Sequence, residues 1–136
     1  MYSVNVNTSA VTGTAGFLDF QFNPGNSSSQ PATATISNFI GGTLGATTPN
    51  IGNVSGTLPG PVTFVNSAGL NEYFQGFTYA SSFSFLLTLS GLALDNPNGT
   101  ATAGTKFGVG YTTITRTRFL RIRGPSADLR ARLKST

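Results

Sequence analysis

SFSFLLTLS, residues 82–90, decides the fold class. Phe83, Phe85, Leu87 and Leu89 alternate with Ser82, Ser84, Thr88 and Ser90, the period of two that marks a strand with one buried and one solvated face. Working outward, the same period recurs. Tyr2, Val4 and Val6 alternate with Ser3, Asn5 and Asn7. In FLDFQF, residues 17–22, Leu18, Phe20 and Phe22 face one way, while Asp19 and Gln21 face the other together with Phe17. Ala32, Ala34 and Ile36 alternate with Thr33, Thr35 and Ser37, and Phe107, Val109 and Tyr111 share a face. Residues 61–65 read as a further strand. Residues 73–79 read as an aromatic strand with a bulge at Gly76.

Between these runs stand turn formers: Asn23-Pro24-Gly25-Asn26 and Asp95-Asn96-Pro97-Asn98-Gly99. Residues 41–61 read as a long loop with a short strand near Val54, and nothing before residue 125 has helical periodicity. About seven strands at this spacing predict an all-β fold, an antiparallel two-layer β-sandwich of jelly-roll type. Leu18, Phe20, Phe22, Ile36, Phe83, Phe85, Leu87 and Leu89 are the predicted core, and the strand at residues 2–7 is expected to pair within a sheet.

Composition agrees. Charged residues are 9% of the 136-residue chain, against about 25% in ordinary globular proteins. Ser, Thr, Asn and Gly take their place, which suits exposed strand faces and turns. The net charge of +4 hides two unlike parts. Residues 1–105 carry no Lys or Arg and three acids, Asp19, Glu72 and Asp95, whereas residues 106–136 carry all eight basic residues and Asp128. No apolar run is long enough for a transmembrane helix. Met1 leads straight into strand text, so no signal peptide is read, and export of this chain as written is not expected.

The chain has no His and no Cys, which removes the commonest general base, the usual transition-metal ligands and thiol nucleophiles. No Gly-x-Ser-x-Gly elbow occurs, and a Ser–Lys dyad would have to draw on Lys106 or Lys134. Asp19, Glu72 and Asp95 offer a glycosidase-type carboxylate pair only on paper, and read as solvated acids. Asp95, Asn96 and Asn98 lack calcium-loop spacing and read as an Asx-stabilised turn. The Asn-x-Ser/Thr triplets at Asn7, Asn26, Asn53 and Asn98 are about what composition supplies by chance. No catalytic, cofactor or metal site is therefore assigned. Of the aromatics, Tyr73, Phe74 and Tyr79, clustered with Phe77, are candidates for an exposed platform on which sugar rings stack. Arg116, Arg118, Arg121, Arg123, Arg130 and Arg132 are candidates for binding a polyanion or nucleic acid.

The runs GFLDFQFNPG, ATATISNFIGG, FQGF and FSFLLTLSG, in combination over about residues 2–111, resemble a family of exported bacterial proteins that carry a PEP-CTERM sorting signal. The resemblance implies export to the cell envelope or extracellular space of the intact parent protein. It also implies a setting of exopolysaccharide and biofilm matrix, with exopolysaccharide or another envelope component as partner. It carries over no catalytic motif, and neither the family's signal peptide nor its Pro-Glu-Pro segment is read in residues 1–136. Residues 112–136 depart from the family text abruptly. A one-base shift near Thr112 back-reads this tail as an acidic, turn-rich loop and a closing strand similar to the family's continuation. The expected organisation is thus a sandwich body at 1–111 and a basic tail at 112–136, a frameshift product that packs poorly and leaves the site of the final strand open. The expected function is that of a non-catalytic surface or matrix protein. A carbohydrate-binding module is the alternative, and polyanion binding through the tail a second.

Overall fold

The computed structural model describes residues 1–113 and, as backbone, residues 116–122 and 134–135. In chain order the strands are β1 Tyr2–Asn7, β2 Ala15–Asn23, β3 Thr33–Ile40, β4 Thr43–Thr47, β5 Val54–Gly56, β6 Val62–Val65, β7 Glu72–Thr78, β8 Ser82–Ser90, β9 Lys106–Thr113, β10 Arg116–Ile122 and β11 Lys134–Ser135. A 3-10 turn spans Ser9–Val11, and one α-helical turn, α1, spans Leu92–Asp95. The first sheet has the order β1-β8-β3-β6-β5 and the second β11-β10-β9-β2-β7-β4. All pairings are antiparallel, and β1 pairs with β8, β2 with β7 and β3 with β6. These concentric pairs are those of one long hairpin rolled up on itself, the jelly-roll arrangement. The expected two-layer sandwich is therefore the fold, and residues 2–7 pair along their full length with β8.

The two inner faces supply one core. Phe83, Phe85 and Leu87 of β8, Ala34 and Ile36 of β3 and Val62 and Phe64 of β6 are buried from the first sheet. Leu18, Phe20 and Phe22 of β2, Tyr73 and Phe77 of β7, and Phe107, Val109 and Tyr111 of β9 are buried from the second. Rings meet across the layers: Phe20 lies edge-on to Phe85 at 5.6 Å between centroids, and Phe77 edge-on to Phe83 at 5.8 Å. Such contacts add to plain burial. Seven of the eight predicted core residues are buried, and Leu89 is partly so near the end of β8.

The loop expected over residues 41–61 holds a strand that its sequence conceals. TLGAT, β4, has one large apolar residue, Leu44, because it is an edge strand with four of its five residues exposed. Gly41 and Gly42, at φ +103° and +67°, turn the chain from β3 in one sheet to β4 in the other. A Cβ on Gly42 would lie 2.1 Å from the Phe77 ring. The short strand near Val54 is β5. The bulge expected at Gly76 lies on the partner strand instead. β7 keeps its register with β2 through Gly76, and the extra residue falls between Leu44 and Thr47 of β4. The fully buried Gln75 holds this irregularity, donating from Nε2 to Gly45 O at 2.8 Å and accepting from the Tyr73 hydroxyl at 2.7 Å.

Two buried asparagines serve the loops. Asn66 accepts from Ala32 N–H at 2.8 Å and donates to Gln30 O and Thr105 Oγ1. Asn71 accepts from Asn53 N–H at 2.8 Å and donates to Phe22 O at 2.9 Å and Ala68 O at 2.8 Å. Loops lacking sheet partners must satisfy their buried backbone this way.

The boundary expected after Tyr111 falls inside β9, which runs on through Thr113. The site beside β9, expected to stand open, is taken by the backbone of β10, in register from Arg116 opposite Thr113 to Ile122 opposite Phe107. An uncovered β9 would present a row of unpaired N–H and C=O groups, and a segment two residues downstream is close enough to pair with them.

Candidate functional site

The site lies on the outer face of the second sheet, where β2, β7 and β9 run side by side. Alternation along β2 turns Leu18, Phe20 and Phe22 inward, so Phe17, Asp19, Gln21 and Asn23 project outward. The same rule puts Glu72, Phe74 and Gly76 of β7 on this face. Register then decides the neighbours. Phe17 stands opposite Gly76, Asp19 opposite Phe74 and Gln21 opposite Glu72. On the other side, Asp19 faces Gly110, Gln21 faces Gly108 and Asn23 faces Lys106. Gly76 offers Phe17 no side chain directly across, and the ring leans on its diagonal neighbour. Phe17 and Phe74 stack at 4.8 Å between centroids with 18° between planes. Phe17 remains 42% exposed, the largest exposure of any aromatic ring among the described residues.

Beside the rings runs an ordered polar ladder. Asn23 Nδ2 donates to Gln21 Oε1 at 3.2 Å. Gln21 Nε2 donates to Asp19 Oδ2 at 3.0 Å and to Glu72 Oε1 at 3.1 Å, so one amide holds two carboxyl groups. Asn71 N–H donates to Asn23 Oδ1 at 2.7 Å, which ties the end of β2 to the start of β7 and fixes the ladder's position. Gly108 and Gly110 put no β9 side chain against it. Burial, then the charge of the adjoining Glu72 and a hydrogen bond to it, push the Asp19 carboxyl up to about 7, while the bond from Gln21 works the other way.

The sugar platform expected at Tyr73, Phe74 and Tyr79 is corrected at two of its three positions. Tyr73 is on the inward phase of β7, fully buried, and its hydroxyl accepts from Leu58 N–H at 3.0 Å. Tyr79 is buried under the same sheet, its hydroxyl 2.7 Å from Phe17 O and 3.2 Å from Thr112 O, so that it joins β2 to β9. Burial raises both phenols above the ordinary tyrosine range. A ring buried on both faces has none to offer a ligand. Phe74 alone is on the surface, and its partner is Phe17. The signal for Phe17 was its place in the polar phase of an otherwise amphipathic strand. No signal in the sequence pairs it with Phe74, 57 residues away.

Asp19 and Glu72 meet at the Gln21 amide, while Asp95 ends α1, outside the ladder. A glycosidase needs its two carboxyl groups on either side of a scissile bond. Here one amide, Gln21 Nε2, bonds to both carboxyl groups, which draws them to the same side of a single donor rather than to either side of a substrate. Asn98 Oδ1 accepts from Thr100 N–H at 3.1 Å and from Thr100 Oγ1 at 2.8 Å, an Asx turn. Among the described residues no three acidic side chains gather as a metal group would require. Arg116, Arg118 and Arg121 have backbone positions on β10, and their side chains lie outside the described residues, as do Arg123, Arg130 and Arg132 entirely. Among the described residues, no helix is long and apolar enough to cross a membrane. Comparison with family models, with curated proteins and with solved structures finds no match to the chain.

Proposed function

We propose that the chain is a non-catalytic surface or matrix module that binds polysaccharide on the outer face of its second sheet. The observation that carries this reading is the exposed Phe17–Phe74 stack bordering an ordered row of amide and carboxyl groups. A sugar ring has an apolar C–H face and a rim of hydroxyls. The first suits an exposed aromatic ring, and the second suits acceptors and donors already fixed in place. Gln21 is held at both ends of its amide, so binding would not have to order it. The resemblance of its strand text to exported PEP-CTERM proteins implies a setting of exopolysaccharides, and the site's chemistry supports that partner class.

The test is affinity electrophoresis of the full chain in gels containing neutral and acidic bacterial exopolysaccharides, with Phe17→Ala and Gln21→Ala alongside. Retardation of the native chain, weakened about tenfold or more by Phe17→Ala, supports the reading. A native chain that no polysaccharide retards, or a Phe17→Ala protein retarded equally, overturns it.

A further inference from the structure

The ladder contains a polar atom without a partner among the described residues. Asp19 Oδ1 is buried and no donor among them reaches it, although Oδ2 of the same carboxyl accepts from Gln21. A buried acceptor without a donor is costly and rare. The adjoining group is a second carboxyl, Glu72, which as a carboxylate can only accept. One proton carried by the pair resolves both problems, since it supplies the missing donor and removes the repulsion between two adjacent negative charges.

We propose that Asp19 and Glu72 form a one-proton carboxyl pair, a pH-sensitive catch across the β2–β7 seam whose deprotonation loosens the outer face carrying Phe17 and Phe74. The catch stands on the geometry of the seam and is independent of any polysaccharide. Asp19 is directly opposite Phe74 and two residues from Phe17, so a separation of the carboxyls is felt first in the stacked rings.

Among the described residues, few charged groups face the pair. On β2 there is no other titratable group, and on the outward face of β7 only Glu72, Tyr73 being buried on the inward face. β4 carries no charge. On β9 the cation is Lys106, opposite Asn23 and beyond Gln21 from the pair. β10 places Arg121 opposite Gly108 in backbone register, with its side chain outside the described residues. Burial and the Glu72 charge hold the Asp19 proton up to about 7. Because the folded-state value is raised above the ordinary one of 3.8, the stabilising proton is fully in place below that value. Its contribution is lost as pH rises through about 7.

The experiment is a carboxyl ¹³C titration of the full chain from pH 3 to 9, with Asp19→Asn and Glu72→Gln for assignment. Asp19 is expected to titrate about two units or more above the ordinary aspartate value of 3.8, with the Phe17 and Phe74 ring signals moving over the same pH range. Glu72→Gln should bring Asp19 down toward the ordinary value. Titration of Asp19 at the ordinary aspartate value in the native chain overturns the proposal, whether or not the variants fold. So do ring signals that stay fixed while Asp19 titrates.

Discussion

Phe85 and Phe17 are the same side chain on opposite faces of the sandwich layers, and truncating each separates core from platform. Phe85 is 2% exposed and packs on Phe20, Phe83 and Phe107. A buried phenylalanine removes roughly 150–250 Å² from water. At about 25 cal/mol per Å² that is about 4–6 kcal/mol, an upper bound because the unfolded chain is partly collapsed. Measured Phe→Ala losses in cores are about 3–5 kcal/mol. Phe85→Ala should therefore cost about 4 kcal/mol, a large part of the roughly 5–15 kcal/mol available to a domain. The thermal midpoint should fall by roughly 10–20 °C. Phe17, 42% exposed and stacked on one ring, should lose only about 1–2 kcal/mol on truncation. Urea unfolding followed by far-UV circular dichroism measures both. A loss below about 1 kcal/mol for Phe85→Ala at unchanged denaturant slope, or equal losses for the two variants, would refute this assignment of faces.

Two further substitutions test how the sheets are joined. Gly16→Ala should destabilise strongly in the same assay, because its Cβ would lie 2.0 Å from Thr112 O and 2.9 Å from the Tyr79 ring, where the β2–β9 seam has no room to give. Native-like stability of that variant would contradict the close approach. Asn71→Ala removes the side chain's three hydrogen bonds and leaves Phe22 O, Ala68 O and Asn53 N–H without it. A loss of about 2–4 kcal/mol is expected, with faster amide exchange at Asn53 as the local check.

Much of the layer structure was legible in the chain itself. A period of two is a local property, so SFSFLLTLS and FLDFQF state which residues face inward wherever their strands are finally placed, and six of the seven core residues read from them are buried. Absence of His and Cys is likewise complete in the sequence and excludes their chemistry without a fold. Edge strand β4 was not legible, because a strand with one partner and a solvated side needs little apolar content. Nor was the position of the extra residue opposite Gly76 legible, since a bulge belongs to a pair of strands rather than to one.

The site divides along the same line. That Phe17, Asp19 and Gln21 share the outer face of one strand follows from alternation, and so does the outward phase of Glu72 and Phe74 on another. That these two sets meet depends on β2 pairing with β7 in one register among several that would keep the apolar faces buried. Shifting the register by two residues preserves burial on both strands yet carries Glu72 away from Gln21 and Phe74 away from Phe17. Local pattern determines which side of a strand each residue takes. Only the rolled jelly-roll topology, which brings residues more than fifty apart into hydrogen-bonded contact, decides that two acids become a pair and two rings become a stack.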